Sequence, residues 1–257
     1  KYWYTYITDE NGADYLPAFN ELLDFKYHTV RETLALRSFK DFLRMGRDFH
    51  TFFNGSMQGR RILIKDPFAI FSTPWFEKQL HCKVVITVRH PGGFVSSLKR
   101  LGWNFDFNNF LSQPLFMRDH LEGDRAAMEA MPSDDLVGQA ALLWKIIYRF
   151  VHGTRSQFSQ FHIVRHEDLS RDPINGYQAL YQSLHLDFTE RVKDIIQNSS
   201  SSENPTKLAK NKTHSVKLDS RANLDNWKKI LSPEEITRVR KITEGVSESF
   251  YSDEEWK

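Results

Sequence analysis

The chain has 257 residues, 40% of them hydrophobic and 26% charged, the balance of an ordinary globular protein long enough for one large α/β domain or two small ones. A net charge of +2 is too small a surplus to argue for a nucleic-acid surface. The single cysteine, Cys82, excludes a disulfide within the chain; together with the lack of an apolar run of ~18 residues it predicts a cytoplasmic protein with no membrane span.

The opening KYWYTYITDENGADYLPAF is aromatic and irregular, with a turn at Asn11-Gly12. Leu22, Phe25, Val30, Leu34, Phe39, Phe42, Leu43 and Phe49 recur at threes and fours, which predicts mostly helix over 16–53 and then a loop at 54–59. RILIK (61–65) predicts a short strand, stopped at Asp66-Pro67 because Pro67 cannot donate to a ladder. Thr73-Pro74 opens a short helix through Leu80. KVVITV (83–88) is rich in apolar and β-branched residues and predicts a central strand covered on both faces, followed by a helix over 91–101. Residues 102–133 show no clean period and read as an insertion carrying Trp103, Phe105 and Phe107. Ser133 is read as the cap of a long helix over 134–157, and FHIV (161–164) as a third strand. Asp172-Pro173 and Phe188–Gln197 give two more helices, and the polar, then basic, stretch 198–221 reads as a mobile loop. In LSPEE, Ser232 caps, Pro233 starts and Glu235 completes a capping box.

Short buried strands alternating with helices predict an α/β fold in a single domain over 1–257, an open, mainly parallel sheet flanked by helices. Ligands of such folds bind at the carboxyl ends of the strands. All three predicted strands end on charged or titratable pairs: Lys65-Asp66, Arg89-His90 and Arg165-His166. Strand-end arginines commonly make structural salt bridges. The alternative is that Arg89, the mouth of helix 91–101 and Ser97 converge on an anion, since a guanidinium fork and a helix N-terminus both suit phosphate.

KVVITVRHPGGFVSSLKR resembles the 3′-phosphate-binding strand and helix of sulfotransferases that use 3′-phosphoadenosine 5′-phosphosulfate, with Arg89 and Ser97 at the family's eight-residue spacing. RILIKDPFAIFSTPWF is similar to the Lys-Asp-Pro-Phe segment of tyrosylprotein and bacterial sulfotransferases. HIVRHEDLSRDP resembles the Tyr-Glu-Asp-Leu segment, with His166 at the usual Tyr, and LDNWKKILSPEEI the C-terminal Trp-Lys region. The resemblance covers roughly 60–250. It implies a sulfotransferase fold like that of P-loop nucleotide kinases and sulfonate transfer to a hydroxyl or amine of a small-molecule or carbohydrate acceptor. The product is adenosine 3′,5′-bisphosphate, and no metal is needed. It implies Lys65 as the group stabilising the leaving oxygen, Arg89 and Ser97 as the 3′-phosphate anchor, and His166 and Arg221 as further donor contacts, Arg221 on a basic lid. The same resemblance gives 102–133 as an acceptor-side insertion.

The family's Ser-Gly-Thr-Thr phosphosulfate loop is not in the chain. The expectation is that this loop and the general base lie in a segment trimmed from it, since Asp66 points away from the target of Lys65 and Pro67 stands where some members carry a histidine base. Two alternatives stay open on the residues alone: a non-catalytic nucleotide-binding module, and another phosphate-handling α/β enzyme such as a nucleotide kinase.

Overall fold

A computed structural model describes residues 2–158, 160–206 and 217–257. In chain order its main elements are α1 (Leu16–Leu23), α2 (Thr29–Leu34), α3 (Phe39–Met57), α4 (Thr73–Leu80), β1 (Val84–Val88), α5 (Pro91–Leu101), α6 (Leu136–Thr154), β2 (Phe161–Arg165), α7 (His166–Arg171), α8 (Pro173–Ser183), α9 (Glu190–Ser200) and α10 (Pro233–Thr243). The architecture is a helix-rich α/β fold around a small open parallel sheet, in the class the sequence predicts.

Local chemistry sets most of the boundaries. Ser38 accepts the Asp41 N–H at the head of α3, and Asp172 and Thr189 do the same for α8 and α9. Ser232 and Glu235 form the expected capping box on α10. Helix α3 runs on to Met57 through the expected loop, and Gly55 within it makes room for Phe25: a Cβ there would lie 2.1 Å from the Phe25 ring. Helix α6 is capped by Asp135 rather than Ser133. The Asp135 carboxylate accepts the Gly138 N–H at 2.9 Å and pairs with Arg238 of α10, so one residue caps one helix and ties down another.

The sheet differs from expectation. Among the described residues β1 pairs in parallel with β2 alone, in the register Val84↔Phe161 to Val88↔Arg165. Residues 61–65 form no strand, and Leu63 is 89% exposed. An apolar run becomes a strand only where its backbone finds a partner, and this segment has none in the sheet. Strand β1 is accordingly not covered on both faces. Ile86 and Val88 are buried, while Val85 and Thr87 face outward, the alternation of a sheet with one core face.

Helix α6 lies along β1 and fastens it with side-chain donors. Tyr148 Oη donates to Thr87 O at 3.1 Å, and Trp144 Nε1 donates to Arg89 O at 2.8 Å. Residues 102–133 are a string of short turns whose Phe105, Phe110 and Phe116 pack with Phe71 in the main core. The central part of the predicted mobile loop, 207–216, lies outside the described residues, and α9 takes up its first residues through Ser200.

Candidate active site

The site forms where β1 meets α5. Here His90 is the N-cap, and its Nδ1 accepts the Gly92 N–H at 3.2 Å. Its ring is 3% exposed, stacked on Trp227 at 4.8 Å and met edge-on by Trp256 at 4.5 Å and Tyr251 at 4.9 Å. Burial in this aromatic nest pushes its pKa down to about 4, against the opposing pull of Glu255. The imidazole therefore stays neutral, as a cap that accepts an N–H must.

Two glycines follow with different tasks. A Cβ on Gly92 would lie 2.5 Å from the Trp227 ring, so Gly92 lets that tryptophan close on the helix mouth. A Cβ on Gly93 would lie 3.1 Å from Arg89 Nε, so Gly93 lets the arginine side chain run over the first turn of α5.

The charge nearest in influence to Arg89 is a carboxylate that does not touch it. Glu167, 7% exposed, accepts the His90 N–H at 2.9 Å on Oε1 and the Tyr251 hydroxyl at 2.8 Å on Oε2. Desolvation lowers the Arg89 pKa and Glu167 is the largest opposing influence, yet no ion pair joins them within contact distance among the described residues. Burial and the Glu167 charge likewise push the Tyr251 phenol far up, so it remains a donor. With both oxygens of Glu167 committed to neutral donors, the Arg89 fork has no side-chain partner among the described residues.

Arg165, the equivalent residue at the end of β2, has both terminal nitrogens engaged. It donates to Phe250 O at 3.0 Å, pairs with Glu255 and Asp168, and lies 4.7 Å over the Tyr251 ring. The structural reading of a strand-end arginine holds for Arg165, whereas the Arg89 fork makes no such ion pair among the described residues.

The other expected residues divide. Ser97 is half-buried, one turn beyond Gly93 on the same face of α5. Its neighbour Ser96 is buried and spends its hydroxyl on Gly93 O at 3.2 Å. His166 opens α7, and its pKa is lowered by desolvation and then by the Arg89 charge, which puts the two in one neighbourhood. Lys65 lies on the exposed segment outside the sheet. Its neighbour Asp66 accepts the Phe68 N–H at 2.8 Å and caps the turn Pro67–Ser72. Arg221 Nε donates to Arg171 O at 2.7 Å, at the end of α7 opposite His166.

Phe105 and Phe107 are core residues, 9% and 5% exposed, so they do not wall an open pocket, while Trp103 is largely exposed. An open cleft of about 530 Å³ lies elsewhere, between Tyr2, Trp3, Tyr15 and Phe19 on one side and Asp66 and Phe76 on the other. Sequence reasoning missed Glu167 as a structural anchor, although it stands beside the strand-end histidine. It also missed Tyr251 and Trp256, which sit in a C-terminal tail with no periodicity to mark them.

The model of the sulfotransferase domain family matches residues 56–253. Among solved structures, a sulfotransferase domain from the curacin biosynthetic pathway is similar at 17% identity, over 88% of this chain and 82% of that one, with a TM-score of 0.42. No curated protein matches.

Proposed function

The chain belongs to the sulfotransferase domain family, and from that premise we propose that it moves a sulfonate group from 3′-phosphoadenosine 5′-phosphosulfate to a hydroxyl of a small-molecule or carbohydrate acceptor. The observation that carries the donor assignment is the uncommitted Arg89 fork laid over the glycine mouth of α5. A phosphate monoester fits there for three reasons. The guanidinium can bind it with two parallel hydrogen bonds, the helix N-terminus favours negative charge, and a side chain at Gly93 would crowd the arginine.

When bound, the donor supplies an activated sulfonate on a phosphate leaving group. The chain's part is positioning and charge stabilisation, as in phosphoryl transfer. Arg89 and Ser97 hold the 3′-phosphate, and His166 borders the same anion. Lys65 neutralises charge developing on the leaving oxygen, and we assign the acceptor to the open aromatic cleft flanked by Asp66, the next residue. Asp66 serves as the cap on Phe68 and not as the base. Arg221, tied to α7, closes the nucleotide side from the loop that follows α9.

The test is incubation with sulfur-labelled donor and a panel of hydroxyl acceptors. Label should pass to an acceptor with release of adenosine 3′,5′-bisphosphate. Lys65→Ala should lower kcat by about 100-fold or more, the scale of losing a transition-state electrostatic contact, while the bisphosphate Kd changes little. Donor binding with no transfer to any acceptor would leave a binding module. Transfer of a phosphoryl group from ATP would mark a kinase.

A further inference from the structure

Arg100 lies in the last turn of α5, and its two terminal nitrogens, Nη1 and Nη2, are sealed from solvent without a hydrogen-bond partner among the described residues. A guanidinium carries five N–H donors and keeps its charge at any pH a folded protein meets. Burying one unpaired is costly, and native structures rarely tolerate it without a reason.

The two ordinary reasons do not apply. Arg100 is not closing the end of its helix, because the Gly102 N–H already serves the Leu98 and Lys99 carbonyls. Nor does it share the ion pair beside it: Lys99 holds Glu235 at 2.6 Å, on a different face of α5. Gly93, Ser97 and Arg100 instead follow one another within about 60° of helix azimuth. Gly93 is the residue over which Arg89 is folded. Arg100 is also close enough to depress the Arg89 pKa, and the opposing carboxylate, Glu167, spends both oxygens on His90 and Tyr251. Two guanidinium groups thus share one stripe of α5 without an acid in contact with either.

We propose that Arg100 is a second phosphate-binding residue, which with Arg89 and Ser97 clasps a phosphate monoester dianion along α5. The inference rests on the reading of Arg89 as the anion anchor and adds a specificity-determining cation to it. Two cations favour a dianionic terminal phosphate over a monoanionic or neutral group, so Arg100 distinguishes nucleotides that carry a 3′-phosphate from those that end in a 3′-hydroxyl.

The experiment uses the whole chain. Wild type, Arg100→Met, Arg100→Lys and Arg89→Ala are titrated calorimetrically with adenosine 3′,5′-bisphosphate and with adenosine 5′-monophosphate, and melted without nucleotide. Arg100→Met should weaken the bisphosphate by about tenfold or more and leave the monophosphate within about twofold. Because it removes an unpaired buried charge, it should also raise the nucleotide-free melting temperature. Arg100→Lys, which keeps the charge, should recover part of the lost affinity. An Arg100→Met protein that melts lower and binds the bisphosphate as wild type does would make Arg100 a structural residue and overturn the inference alone. Unchanged binding in Arg89→Ala would instead overturn the anchor reading on which it stands.

Discussion

His90 acts both as helix cap and as packing centre, and this makes the protein sensitive to acid. Its folded pKa near 4 lies below the 6.5 of an exposed imidazole. Between those values the unfolded chain takes up a proton that the folded chain refuses, so stability falls as pH drops from about 6.5 to about 4 and levels off below. The full effect is about 3 kcal/mol. Asparagine can still accept the Gly92 N–H but does not titrate. Urea unfolding at pH 7 and pH 4.5 should therefore show wild type losing about 2 kcal/mol more than His90→Asn over that interval; parallel losses would remove His90 from the account. The same scale separates the two strand-end arginines, one ion-paired and one without an ion pair among the described residues. Arg89 and Arg165 look alike in the sequence, each followed by histidine at the end of an apolar run. Glu255, 90 residues further on, occupies Arg165, and nothing local to either arginine announces that.

At the scale of elements, α5 was legible end to end, because Pro91 fixes its start and Gly102, at φ 64°, its stop. The capping box of α10 was equally plain. The strand at 61–65 was misread because its apolar run has no partner, and strand pairing belongs to the assembled sheet rather than to the segment. Residues 102–133 hid their role for a related reason: their aromatics cluster from several short turns, with no period to read. Contact between α5 and Trp227 gives a direct check on the helix mouth. Gly92→Ala drives a methyl into the Trp227 ring and should cost about 1–3 kcal/mol of unfolding free energy. A variant as stable as wild type in urea would show that Trp227 does not close on α5 as described.

Across the whole molecule, the C-terminal tail ties the two strand ends together. Tyr251 reaches Glu167, Glu255 reaches Arg165 and Arg171, and Trp256 packs on His90. The tail thereby ties up Arg165 and holds the buried carboxylate that faces Arg89, so residues at the far end of the chain shape the junction of β1 and α5 where we propose the anion binds. Helix α3 contributes little to this assembly: Phe39, Phe42, Leu43 and Phe53 are exposed along it. The central claim is that a phosphate is gripped by the guanidinium at the end of β1. Its most direct measurement is the affinity for adenosine 3′,5′-bisphosphate of wild type against Arg89→Ala, with melting temperatures recorded alongside. The account predicts a loss of about tenfold or more, as expected when a charge-assisted phosphate contact is removed, with the fold intact. Equal affinities in two folded proteins would contradict it.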